Sequence, residues 1–231
     1  NREKIKELAS GQLKDEANAW FVGEPFKVFY DYKKEGIWQL GEEAAAAANG
    51  QEPGDIKVQD VDGNGVITTD DRIIYSQRPD VTFGFNNTFN YKGFDLSVFL
   101  YARLGQWIAY DYNTTYRINA LENGGNVDYW TPENPTNAFP CPNKSKSYTQ
   151  VTYYSTLKYE DGSFFKIRDI TLGYTFKPEL LKHLNLSKLR VYATAKNFFT
   201  FSKIDNYDPE QGGSISFPMT KQLVFGLNVE F

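Results

Sequence analysis

The sequence predicts an all-β protein whose strands build part of the wall of a transmembrane β-barrel with long extracellular loops. Three observations lead there. Apolar and polar residues alternate with a period of two over several stretches of about ten residues, the length a tilted strand needs to cross a bilayer. Short and long connections between those stretches alternate along the chain. The last stretch closes on an aromatic residue, Phe231.

The first stretch runs from Val81 to Tyr91. Val81, Phe83, Phe85, Asn87, Phe89 and Tyr91 share one face, and Thr82, Gly84, Asn86, Thr88 and Asn90 share the other. Tyr91-Lys92-Gly93-Phe94 is a tight reversal, after which Phe94, Leu96, Val98 and Leu100 alternate with Asp95, Ser97, Phe99 and Tyr101, so a hairpin is expected. In Ile167 to Phe176, Ile170, Leu172, Tyr174 and Phe176 oppose Asp169, Thr171, Gly173 and Thr175. In Leu189 to Phe201, Leu189, Val191, Ala193, Ala195, Phe199 and Phe201 oppose Arg190, Tyr192, Thr194, Lys196 and Thr200. The final strand sets Leu223, Phe225, Leu227, Val229 and Phe231 against Gln222, Gly226, Asn228 and Glu230; Asn197 and Val224 break the pattern.

The connection at Lys92-Gly93 is very short and that from Lys177 to Ser187 moderate, whereas Gly105 to Ser163 and Ser202 to Thr220 are long. Outer-membrane barrels have short periplasmic turns and long extracellular loops. Traced back from a periplasmic Phe231, both short turns fall on the periplasmic side and both long loops outside. A run of five or six such strands has open edges that hydrocarbon does not tolerate, so further strands are expected from residues outside this chain or from another chain. Phe26 to Trp38 fits either a wall strand or part of an extracellular loop, and Asn1 to Leu8 either a strand or a short helix.

Composition agrees without deciding. Aromatic residues make up 16% of the chain, and the net charge of −4 comes without any Lys/Arg-rich run, giving no sign of a nucleic-acid surface. The longest purely apolar run is about the five alanines Ala44 to Ala48, against ~20 residues for a transmembrane helix. One histidine, His183, and one cysteine, Cys141, leave no zinc constellation and no internal disulfide. The same alternation also describes a soluble β-sandwich, in which the aromatic face is core. A secreted, calcium-stabilised carbohydrate-binding β-sandwich therefore remains the alternative, although it explains the connection pattern and the aromatic C-terminus poorly. A glycoside hydrolase ranks third, because Glu160 and Asp161 are merely adjacent near a turn and no acid/base geometry follows.

Asp60-Val61-Asp62-Gly63-Asn64-Gly65-Val66-Ile67-Thr68-Thr69-Asp70-Asp71 fits the calcium-loop template D-x-[DN]-x-[DN]-G. Asp60, Asp62 and Asn64 occupy loop positions 1, 3 and 5, Gly65 the sharp turn, the Val66 carbonyl position 7, Thr68 position 9 and Asp71 position 12. Asp71 stands where the bidentate Glu is usual, which implies a less complete shell or weaker binding. The metal expected is calcium or another hard cation in a structural role, and residues 54–72 are read as a calcium-loop-like insertion within an extracellular loop. A plain Asp/Gly/Asn surface turn is the other reading. Glu42 to Asn49 is a candidate short helix, separated from the loop by Pro53-Gly54.

Several stretches, taken in order, resemble SusC/RagA-type TonB-dependent transporters. They are Tyr30-Asp31-Tyr32 and Gly36-Ile37-Trp38; Gly54-Asp55-Ile56-Lys57 leading into the acidic loop; Phe83-Gly84-Phe85 through Phe94-Asp95-Leu96; and Tyr129-Trp130-Thr131-Pro132-Glu133-Asn134-Pro135. Further on come Glu160-Asp161-Gly162-Ser163-Phe164 with Ile170 to Tyr174, Leu189 to Tyr192 with Asn197-Phe198, Tyr207-Asp208-Pro209-Glu210, and the closing strand. The resemblance implies that residues 1–231 form the C-terminal segment of a 22-stranded barrel, without the plug, the TonB-contacting segment and the earlier strands. It further implies an outer-membrane importer of a Gram-negative bacterium, without enzymatic chemistry. In such a system a SusD-like surface lipoprotein captures a glycan or peptide, and the TonB complex drives its passage.

Candidate substrate residues are the loop aromatics Trp107, Tyr110, Tyr112 and Tyr116, whose rings can stack on sugars, together with Arg190, expected to face the lumen beside Lys196. For the aromatics, loop packing, lipid-interface anchoring or contact with the lid is the favoured reading. For the charges, ion pairing inside a wet barrel is.

Overall fold

The computed structural model describes residues 3–119, 124–143, 145 and 150–231. In chain order the strands are β1 (Lys14–Asp15), β2 (Trp20–Phe21), β3 (Val28–Tyr32), β4 (Lys34–Ile37), β5 (Ile56–Val58), β6 (Arg72–Ser76), β7 (Val81–Tyr91), β8 (Phe94–Leu104), β9 (Trp107–Ala109), β10 (Tyr159–Asp161), β11 (Phe164–Thr175), β12 (Lys188–Ser202) and β13 (Gln222–Glu230). Two short helices, α1 (Glu43–Ala48) and α2 (Pro178–Leu181), accompany them.

The five longest strands form one antiparallel sheet in the order β13-β12-β11-β8-β7. The β7–β8 hairpin turns on Lys92 and Gly93, both left-handed at φ 47° and 90°, the backbone that lets a two-residue loop follow the strand twist. A Cβ on Gly93 would lie 2.8 Å from the Thr175 carbonyl oxygen, so the turn needs glycine for space as well as for φ. Both short connections lie at one end of the sheet. The segment before β7, the β8-to-β11 connection and the β12-to-β13 connection all lie at the other.

The register gathers the apolar residues of all five strands on one face. Phe85, Leu100, Ile167 and Phe199 stand side by side across four strands; Phe89, Leu96, Leu172, Ala193 and Phe225 do so across all five. This face is open: Phe89 is 61% exposed, Phe201 59%, Phe225 74% and Leu227 68%. A soluble domain seldom leaves a large contiguous apolar patch uncovered. Among the described residues no second sheet packs on it, as one would in a sandwich, whose core this face would be.

One irregularity was hidden in the sequence. Arg168 is an extra residue between Ile167 and Asp169 in the pairing of β11 with β8, and β12 answers with Asn197 at φ 59°. The bulge resets the parity of β11, so that Phe165 and Ile167 share the apolar face with Ile170, Leu172 and Tyr174. Period-two reading across Ile167 loses that continuity and starts the strand three residues late. Val224 faces the polar side opposite Thr194, which explains its break in the alternation.

The hydrophobic core lies in the segments at the loop end. Ile37, Ile56 and Val58 of β4 and β5 pack with Tyr116, Ile118, Trp130, Val151 and Leu157 of the β8-to-β11 connection. Side-chain hydrogen bonds stitch the two together: Trp130 Nε1 donates to Gln39 Oε1 at 2.8 Å, and the Ile37 amide donates to Asn137 Oδ1 at 3.0 Å. The Cys141 amide also donates to the Gly54 carbonyl at 2.9 Å. Phe26 to Trp38 is therefore part of this loop-end layer, since β3 pairs with β6 and β4 with β5, neither with the large sheet. Of Asn1 to Leu8, residues 1 and 2 lie outside the described residues; Ile5 makes a single bridge to Val22.

Candidate functional site

The acidic loop follows β5 and folds around Asp71. This carboxylate is buried and accepts the amides of Val61 and Thr68, both at 2.7 Å, with Asp62 at 3.5 Å. The Thr68 amide, foremost among these donors, holds the Asp71 carboxyl below the usual carboxylate range against the opposing effect of burial. Asp60 accepts the amides of Gly63 and Gly65 at 2.8 and 2.7 Å, and Asn64 Oδ1 accepts that of Val66 at 2.8 Å. One carboxylate oxygen from each of Asp60, Asp62 and Asp71 lies within 4.8 Å of the others. Ligand oxygens on opposite sides of a calcium ion, each ~2.4 Å from it, stand about that far apart. An all-oxygen set at this spacing fits a hard cation. The loop is tied to α1 through Asn49, whose Oδ1 accepts the Ile67 amide at 3.1 Å.

The polar face of the sheet carries paired charges. Arg190 reaches diagonally over Gly173 and grips Asp95 with two bonds from one guanidinium edge, Nε donating to Oδ1 at 2.9 Å and Nη2 to Oδ2 at 2.5 Å. A Cβ on Gly173 would stand 2.5 Å from both Arg190 Nη2 and Asp95 Oδ1, so glycine here makes room for an ion pair spanning three strands. Lys196 lies 3.9 Å from Asp169. Thus Arg190 is engaged in the pairing expected of a charge inside a wet barrel.

Near the loop end, Lys166 is wholly buried between Asp208 and Glu210, at 2.7 and 2.8 Å, while Arg168 adds a contact to Glu210 at 3.1 Å. This cluster fastens the β12-to-β13 loop to the wall. Sequence reading missed it: Lys166 fell outside the expected strand, and its partners are 42 and 44 residues away.

Among the hollows at this end, two are roomy. One, of about 540 Å³, lies between the end of β12 and the loop after it, with Asn197, Thr200, Tyr207 and Lys221 on its walls. The other, of about 260 Å³, lies between β4 and the β9–β10 ladder. Trp107 lines this second hollow and packs edge-on against Tyr75, ring centroids 4.8 Å apart. Tyr112 is half-buried between Tyr110 and Tyr207, at 5.9 and 6.0 Å. Tyr110 and Tyr116 are each 5% exposed, and the Tyr116 hydroxyl donates to the Pro140 carbonyl at 2.9 Å. Burial takes these two rings out of reach of a ligand and gives them packing roles, because the loop builds a core of its own. His183 sits in a turn at the opposite end of the sheet.

A sheet apolar on its outer face and polar on the other, with short turns at one end, elaborate loops at the other and open outer edges on β7 and β13, is a sector of a transmembrane β-barrel. No family model matches the chain. It is 31% identical over 235 residues to TonB-dependent receptor P3 of Formosa agariphila, covering 90% of this chain and 22% of that receptor. It is also 31% identical over 180 residues to the TonB-dependent receptor SusC of Bacteroides thetaiotaomicron, covering 74% of this chain and 17% of the receptor. The fold matches the structure of the RagAB peptide transporter with a TM-score of 0.74 at 24% identity, over 100% of this chain and 26% of that one. Against the RagAB peptide importer in its open-open state the TM-score is 0.67 at 25% identity, over 99% of this chain and 25% of that one. The chain is thus similar to a barrel segment of TonB-dependent receptors of the SusC/RagA type, and it spans about a fifth of the length of the curated relatives it matches.

Proposed function

We propose that this chain forms one side of an outer-membrane importer, with the apolar face toward lipid, the Arg190–Asp95 face toward the lumen and the loop layer toward the cell exterior. The observation that carries the reading is the continuous exposed apolar face shared by all five strands. Facing hydrocarbon, those side chains need no covering domain, and the unpaired edges of β7 and β13 require further strands to close the wall. The polar face binds and passes solute without covalent chemistry. The whole protein works with a SusD-like surface lipoprotein and draws energy through TonB to import an oligosaccharide or peptide; the likeness to TonB-dependent receptors and to the RagAB peptide transporter supports this reading. Of the loop aromatics, Trp107 and Tyr112 keep enough exposure to meet such a ligand at the mouth.

We further propose that the loop from Asp60 to Asp71 holds calcium as a structural clamp on the loop layer, with ligands from Asp60, Asp62, Asn64, the Val66 carbonyl, Thr68 and Asp71. Calcium would slow amide exchange in residues 60–71, and Asp60→Asn with Asp62→Asn would abolish the response; exchange indifferent to calcium would remove the metal from this account.

Membrane fractionation of the native source, followed by gentle detergent extraction and mass spectrometry of what co-purifies, tests the importer. Recovery in the outer membrane with a surface lipoprotein supports it. Recovery as a soluble monomer without detergent defeats it.

A further inference from the structure

Lys33 and Glu35 line the 260 Å³ hollow as exposed side chains; among its half-buried charged groups, the two carboxylates have partners and the one cation, Lys34, has none among the described residues. Asp161 accepts the Ser163 amide at 3.0 Å and pairs with Lys203 at 3.1 Å, while Glu160 Oε1 accepts Asn113 Nδ2 at 2.9 Å. The Lys34 ammonium, half-buried on the opposite wall, makes neither a hydrogen bond nor an ion pair among the described residues. Glu160 is near enough to favour the charged form of Lys34, yet it bonds Asn113 instead.

The fold holds Lys34 in this position. The β4–β5 ladder is irregular between Lys34 and Gly36, and beyond that point Ile37 enters the hydrophobic core while Lys34 lines the hollow. Burial pushes the Lys34 ammonium down and the Glu160 carboxyl up, so both groups are partly withdrawn from water. A cation withdrawn from water without a counter-ion is costly, and a carboxylate is the group that returns charge and hydrogen bonds together. Trp107 and Leu157 supply apolar walls, so the ligand part that fits is compact, with one anionic edge.

We propose that this hollow binds the carboxylate of an incoming ligand, with Lys34 as the anchoring cation and Trp107 as the apolar wall. The inference rests on the importer reading, which brings the ligand to this end of the barrel. It adds that the preferred cargo carries a carboxylate, borne by a sugar acid or by the end of a peptide.

The test is calorimetric binding to the whole receptor in detergent. D-galacturonate and N-acetylglycine serve as probes, with neutral D-galactose and N-acetylglycinamide as their counterparts. Expected is binding of at least one carboxylate about tenfold or more tighter than its neutral counterpart, the scale of one charge-assisted contact. The preference should vanish in Lys34→Met and survive in Lys34→Arg and in Lys27→Met, whose exposed side chain lies outside the hollow. Whichever carboxylate binds more tightly names the carrier. No preference for either carboxylate, or the same preference in Lys34→Met, overturns the assignment. Should Lys34→Met fail to assemble, slower acetylation of Lys34 in the wild type with the probe bound supports the site, and an unchanged rate overturns it. A receptor in the outer membrane without carboxylate preference defeats only this inference, whereas absence from the outer membrane defeats the importer reading itself.

Discussion

Asp71 organises the acidic loop through its two carboxylate oxygens, and truncating it offers a quantitative test. In Asp71→Ala the amides of Val61 and Thr68, each 2.7 Å from an oxygen in the wild type, lose their acceptor. A hydrogen bond to a charged group contributes about 1.5–3 kcal/mol. Two at the lower end give about 3 kcal/mol of local stability, roughly a hundredfold in the opening equilibrium. Hydrogen exchange on the whole receptor, in chelator so that metal plays no part, should therefore show these two amides exchanging about a hundredfold faster, with the strands of the sheet unchanged. Asp71→Asn keeps one acceptor oxygen and should fall between. Unchanged exchange at Val61 and Thr68 in Asp71→Ala would refute the claim that this carboxylate holds the loop together.

The pH response follows from the same contacts. Because the amides lower the folded-state pKa of Asp71 beneath its ordinary 3.8, the carboxylate's contribution is fully present above that value and is lost as pH falls through the depressed one; loop protection at constant intrinsic rate should stay level down to about pH 4 and drop below it. Lys166→Met leaves Asp208 and Glu210 without their buried cation, a change that costs about 3–5 kcal/mol when one partner of a buried pair is removed. Limited proteolysis should then cut the β12-to-β13 loop, and resistance equal to wild type would show the cluster does not hold it. Gly173→Ala puts a methyl between Arg190 and Asp95 and should lower the melting temperature in detergent. Most of that loss, about 1 kcal/mol for a partly exposed pair, should disappear in an Arg190→Ala background; full additivity would contradict the clamp.

How much was legible beforehand depended on whether a feature was local. Period-two alternation is a local property of extended backbone, so β7 matched its expected ends, and the Lys92-Gly93 reversal followed from residues that tolerate left-handed backbone. The turn of the acidic loop was equally readable, because its Asp, Asn and Gly spacing acts within a few residues. Arg168 was not: a bulge is decided by pairing with β8 and β12, and nothing in Ile167-Arg168-Asp169 announces it. The loop layer escaped for the same reason. Its core joins Ile37 and Ile56 to Tyr116 and Trp130 across a long stretch of chain, and no local period records contacts at that separation.

By itself, then, the sequence determined that the chain is a run of amphipathic strands with short turns at one end and long loops at the other, since alternation and turn chemistry act within a few residues. The tertiary structure alone decided that Tyr110 and Tyr116 are core, that Arg190 belongs to Asp95 and Lys166 to Asp208 and Glu210, and that Lys34 faces a hollow without a partner among the described residues. Those outcomes turn on which side chains compete for the same burial and the same counter-ions, and only the folded chain brings the competitors together.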